Sequence, residues 1–165
     1  MPSAHTLPNA AFVDDPARIS DKQLLSPNIS IGPGRLQIFF WNNFNLQEGF
    51  DGGVLEISFD NGLTFHDVLA AGGTFASGGY NGTISTCCGN PLAGRQAWTG
   101  NSSGFIETEL NLPMPTGPNM MLRWRMGSDS AVAGEGWRID TVVIGQFCPT
   151  RRDRHRPRPT PAPRP

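Results

Sequence analysis

The chain has 165 residues, enough for one domain with a real core. Gly 20 and Pro 15 are set against only 16% charged residues, a profile of short strands and turns rather than helices. Of the 13 Lys+Arg, six fall in residues 151–165 with one of the 14 Asp+Glu, so the body carries seven basic against 13 acidic residues. That acidic body excludes a basic nucleic-acid face and suits hard cations held by oxygen.

The chain opens with an irregular segment, residues 1–20, in which Pro8 and Pro16 forbid a long helix and Asp14-Asp15-Pro16 reads as a turn. MPSAHTLPNAAF has neither the basic start nor the apolar run of an export signal. No stretch approaches the ~20 apolar residues of a membrane span. With ordered sequence starting almost at once, the chain is consistent with a piece of a longer protein.

A β-sandwich domain is expected over residues 21–148. A short strand falls near residues 28–31, then a Gly-Pro-Gly turn, then a strand over 35–41 whose continuous apolar end suits cover on both faces. Residues 53–60 alternate, with Leu55, Ile57 and Phe59 on one side and Val54, Glu56 and Ser58 on the other. Asp60-Asn61-Gly62 then predicts a hairpin into residues 63–68, since Asn-Gly accepts the positive φ such a turn needs.

Residues 70–104 are rich in Gly, Ser, Thr and Asn and read as a long loop with one short strand near 82–85 and Trp98 as anchor. Three strands follow. Residues 105–112 put Ile106, Thr108, Leu110 and Leu112 on one face, and 121–126 put Leu122, Trp124 and Met126 inside, Arg123 and Arg125 outside. In 137–144, Trp137, Ile139, Thr141 and Val143 share one face, and Arg138, Asp140 and Val142 the other. No segment of ten or more residues has helical period, so the fold class is all-β, an antiparallel sandwich. The tail, residues 149–165, is Pro- and Arg-rich and reads as a disordered or extended linker.

Cys87 and Cys88 are adjacent and Cys148 is distant, so the alternatives are free thiols or one bridge from Cys87 or Cys88 to Cys148 in an oxidising compartment. There is no zinc spacing, no HExxH and no GxSxG, and GEG at 134–136 precedes a strand rather than a helix. Glu48 and Asp51 could form a glycosidase-like pair, which would need ~5–9.5 Å across a cleft, but nothing else supports one. The chain is therefore read as no enzyme. Asp21, Glu48, Asp51 and Asp140 are candidate ligands for calcium, all oxygen donors at strand ends or edges. Their alternative roles are turn caps and ion pairs with Arg125 or Arg138. Tyr80, Trp98 and Trp41 are candidates for stacking on sugar rings, against the alternative of core packing.

The order SDKQLLSP, FDGGVLEISFDNG, AGRQAWTGNSSGF, LRWRMGSDS, GWRIDTVVI resembles the accessory β-sandwich modules of secreted bacterial proteins. Among them are those that follow the protease in immune inhibitor A-type metallopeptidases; more distantly the order is MAM-like. The resemblance covers roughly residues 11–145 and is most specific in DGGVLEIS and GWRID. It implies a non-catalytic jelly-roll, galactose-binding-like sandwich that engages carbohydrate or protein outside the cell or at its surface, as one domain of a larger protein. It also implies a structural calcium between the loop before GGVLEIS and the last strand, carried here by Glu48, Asp51 and Asp140, with Asp21 beside them. Such modules begin with a further strand, for which few residues precede Asp15-Pro16. Rival expectations are a fragment of a secreted hydrolase and a structural spacer or adhesive repeat.

Overall fold

The structure is a computed structural model that describes residues 3–32 and 34–147. Twelve strands run in chain order: β1 (Ala11–Val13), β2 (Ser20–Leu25), β3 (Ile29–Ser30), β4 (Arg35–Asn45), β5 (Gly52–Ser58) and β6 (His66–Asp67). The rest are β7 (Thr74–Ser77), β8 (Gly82–Thr83), β9 (Gln96–Ala97), β10 (Ile106–Asn111), β11 (Asn119–Ser128) and β12 (Gly136–Phe147). One sheet has the order β1-β12-β4-β10-β7 and the other β2-β11-β5-β6, with β3 on β11; β8 and β9 form a separate ribbon. All pairings are antiparallel, and no helix occurs among the described residues. This is an all-β sandwich.

Alternation builds the core. Leu36, Ile38, Phe40 and Phe44 of β4 face Leu55 and Ile57 of β5 and Leu122, Trp124 and Met126 of β11. Trp98, fully buried, stands edge-on to Phe40, Phe75 and Tyr80 and tilts against Trp137. Gly53 is required beneath Trp137: a Cβ there would sit 2.6 Å from the indole ring.

β5 is buried along its whole length. Its outer face is covered by the segment expected to be a long loop, which contains β7, β8 and β9 and packs Ile84, Leu92 and Ala97 on Val54. A strand capped on both faces loses its polar–apolar contrast, and that is why Glu56 and Ser58 are buried too.

Four expectations need correction. Residues 1–20 are not wholly irregular, because β1 pairs Ala11–Val13 with Ile139, Arg138 and Trp137 at the edge of the first sheet. The Asn-Gly hairpin has its turn chemistry, φ 59° at Asn61 and 84° at Gly62, but the ladder closes only at Ile57–His66 and Glu56–Asp67. Between them Ser58 Oγ accepts from Gly62 N–H at 2.9 Å and Asp60 Oδ1 from Thr64 N–H at 2.9 Å, replacing strand pairing.

In β12 the register shifts between Asp140 and Val143, with Thr141 at φ 51°. This bulge inverts the alternation, so Val143 is exposed and Ile144 packs on the core. Finally, Cys87 is joined to Cys88 rather than to Cys148, a vicinal bridge that the two alternatives from sequence did not include. Its turn is tight, with Cys88 at φ 69° and Gly89 at φ 82°. Cys148 and the tail lie outside the described residues.

Candidate functional site

The four sequence-derived acids do not converge. Asp21 lies on the outer face of β2, where Arg125 holds both oxygens, Nε to Oδ1 at 2.8 Å and Nη2 to Oδ2 at 2.7 Å. That bidentate pair keeps its carboxyl below the ordinary range. Asp140 sits on the other sheet and accepts the backbone N–H groups of His5 and Thr6, each at 2.8 Å, so it clamps the N-terminal segment. Glu48 is exposed. Only Asp51 is fully buried.

Around Asp51 the ends of five strands meet. Asp15 follows β1, Gln47 follows β4, Asp51 precedes β5, Asp129 follows β11, and Gly134 precedes β12. Asp51 Oδ1 accepts the Asp129 N–H at 2.6 Å, and Asp15 Oδ2 accepts the Gly134 N–H at 3.0 Å. Asp15 and Asp129 are each 2% exposed. Gly134 is needed for this approach, since a Cβ would fall 2.2 Å from the Asn45 carbonyl oxygen and 2.7 Å from Asp15 Oδ2.

Asp15 Oδ1 and Asp51 Oδ2 receive no N–H or O–H donor, and the two carboxyls lie within hydrogen-bonding reach of each other. The side-chain oxygen of Gln47, whose backbone carbonyl accepts the Asp51 N–H at 2.9 Å, is also buried without a partner. All are oxygens, and none can donate unless a carboxyl is protonated. Burial, with the charge of Asp15 beside it, pushes the Asp51 carboxyl up to about 7; burial also raises Asp15. Unpaired carboxylates out of water are costly, so the pair requires a shared proton or an added cation.

The donor chemistry fits a hard cation such as calcium, which takes about six to eight oxygens from carboxylates, amides and carbonyls. Asp129 has its Oδ1 engaged, accepting Ala131 N–H at 2.7 Å. Among the described residues no three His, Cys, Asp or Glu side chains gather as a ready metal set. A cation would therefore rest on Asp15, Asp51 and Gln47, completed by main-chain oxygens and water.

The aromatic candidates are engaged elsewhere. Trp98 gives its Nε1–H to the Gly78 carbonyl at 2.8 Å in the core, and Tyr80 Oη accepts the Leu55 N–H at 2.9 Å. Trp98 is fully buried and offers no face to a sugar, while Tyr80 is partly buried against it. Trp41 lies on the outer face of β4 under the His5 ring, stacked at 3.9 Å and 9°.

Sequence reasoning found Asp51 and passed over Asp15, Gln47 and Asp129. The usable signal was position: each stands within a few residues of a strand end, and antiparallel order brings those ends to one pole of the sandwich. No protein-family model matches the chain, and no curated protein matches it significantly.

Proposed function

We propose that the chain is a non-catalytic accessory module of a secreted or cell-surface bacterial protein, a jelly-roll sandwich stabilised by calcium, which engages carbohydrate or protein. The observation that carries the calcium reading is the set of three buried oxygens on Asp15, Asp51 and Gln47 that receive no N–H or O–H donor. Calcium would supply positive charge and no acid–base chemistry, while the residues hold it between the segments that enter and leave both sheets. The Cys87–Cys88 bridge supports an oxidising compartment. The likeness of DGGVLEIS and GWRID to secreted accessory modules supports the setting in a larger protein.

A proton shared by Asp15 and Asp51 is the second reading, favoured by the raised Asp51 carboxyl. Thermal melts of the chain at pH 8 in calcium and in chelator separate the two. At 100 times its dissociation constant calcium should stabilise by about 2.7 kcal/mol, a rise of roughly 5–8 °C. Coincident melts would overturn the calcium reading and leave the shared proton.

A further inference from the structure

The turn that carries Cys87 and Cys88 stands directly behind the acidic pole. Cys87, Cys88 and Gly89 are exposed, whereas the next residue, Asn90, is buried. Asn90 Nδ2 donates to the Phe50 carbonyl at 2.6 Å and to the Gly127 carbonyl at 2.9 Å. Its Oδ1 accepts the Leu92 N–H at 2.7 Å, so both ends of the amide are used.

Those two carbonyls belong to different segments. Phe50 precedes Asp51, and Gly127 stands two residues before Asp129, whose N–H reaches Asp51 Oδ1. One amide side chain thus spans the two segments that meet at the pole. Gly127 permits the approach, because a Cβ there would lie 2.5 Å from Asn90 Oδ1. The turn has two further holds. Ser85 N–H donates to the Gly49 carbonyl at 2.7 Å. Gly89 lies against Ile19, on the segment between β1 and β2 that holds Asp15; a Cβ on Gly89 would fall 2.8 Å from Ile19 Cδ1.

The backbone explains how a bond at the tip of the turn is felt at Asn90. Cys88 and Gly89 are consecutive left-handed residues, at φ 69° and 82°. Glycine takes that region freely, but an L-residue such as cysteine is disfavoured there. The bridge ties neighbouring residues and holds those torsions. With it opened, Cys88 is free to leave the left-handed region, and the amide two residues on is carried with it.

The sulfur chemistry has a direction. The Ser85 hydroxyl donates to Cys87 Sγ at 3.3 Å, which favours Cys87 as the departing thiolate. An external dithiol therefore attacks Cys88 Sγ, breaking the bridge and forming a mixed disulfide at Cys88. Its second thiolate then displaces Cys88 and closes the reductant's own disulfide. Two electrons and two protons pass from the dithiol to the two cysteines.

We propose that Cys87–Cys88 is a reducible site at which an external dithiol loosens the Asn90 clamp across the acidic pole. The coupling is the same whether a cation or a shared proton occupies that pole.

The test is amide hydrogen exchange on the ¹⁵N-labelled full chain, oxidised and after dithiothreitol. A Cys148→Ser background removes the third cysteine, and thiol titration should count none before reduction and two after. Reduction should lower protection of the Leu92 and Asp129 N–H groups at least about tenfold, while the β4–β10 ladder keeps its own. Cys87→Ser with Cys88→Ser should show the reduced pattern without reductant and ignore dithiothreitol. Asn90→Ala should lower Asp129 protection in both redox states and abolish the difference between them. Two free thiols before reduction, unchanged protection at Asp129 after it, or a loss that extends equally into the ladder would each overturn the proposal.

Discussion

The sandwich buries carboxylates in two places and treats them oppositely. On the outer face of the second sheet Glu56 is 3% exposed and is surrounded by cations from the chain itself. Arg95 and Arg123 reach its two oxygens at 2.5 Å each, and Arg125 stands at 3.6 Å. Those arginines are shared onward with Asp67 and Asp21, and Arg123 also lies 4.1 Å over the Phe65 ring. At the pole, Asp15 and Asp51 are as deeply buried and have only backbone N–H groups and each other. A buried carboxylate with its counterion encoded beside it is structural. One without a counterion must keep a proton or take a cation from solution.

This contrast can be broken at either end. The largest effect is expected at Glu56→Ala, which strips a shared acceptor from three guanidinium groups. Removing one partner of a buried pair costs about 3–5 kcal/mol, a fall in melting temperature on the order of 10 °C. Differential scanning calorimetry reads it, and the calcium response should persist. A loss below about 1 kcal/mol would mean that the network is dispensable.

Next in size is a pH effect confined to the pole. The Asp51 carboxyl is raised from 3.8 to about 7, so the folded state disfavours its charged form. In chelator this group contributes stability that is full below the unfolded value, near pH 4, and lost as pH rises through 7. The free-energy difference between wild type and Asp51→Asn should therefore change by up to about 3 kcal/mol from pH 5 to pH 8, wild type losing ground. A flat difference would show that Asp51 is charged throughout and already compensated.

Asp51→Asn should also remove the calcium response itself, about 2.7 kcal/mol at saturating metal, because the amide keeps the shape and loses the charge. Paired melts with and without metal test this. The smallest change belongs to Asp21→Asn, where the carboxylate is a third exposed and the pair with Arg125 is worth about 0.5–1 kcal/mol. Its calcium response should match that of wild type. If Asp21→Asn abolished that response while Asp51→Asn did not, the acidic site would belong on the sheet face rather than the pole.

Most strands were legible because each presents alternation to one core: residues 35–41, 53–60, 105–112 and 121–126 all fall within or overlap observed strands. What hid from sequence depends on contacts made far along the chain. β1 is three residues paired with a strand more than 120 positions away, and β7 to β9 take their order from packing on β5. The inversion in β12 turns on a positive φ at a threonine, a residue type that gives no warning of it. The acidic pole was half legible. Asp51 stands beside a Gly-Gly pair that marks a sharp entry to a strand, whereas Asp15 next to Pro16 looks like any turn. Gln47 carries no charge to draw notice.

The vicinal bridge at Cys87 and Cys88 behaves differently from most disulfides. A crosslink restricts an unfolded chain by an amount that grows with the logarithm of the loop it closes, and adjacent residues close almost none. It therefore ties no two parts of the fold together and restrains only the torsions of one exposed turn. Reducing it should reshape that turn while the sandwich melts nearly where it did before.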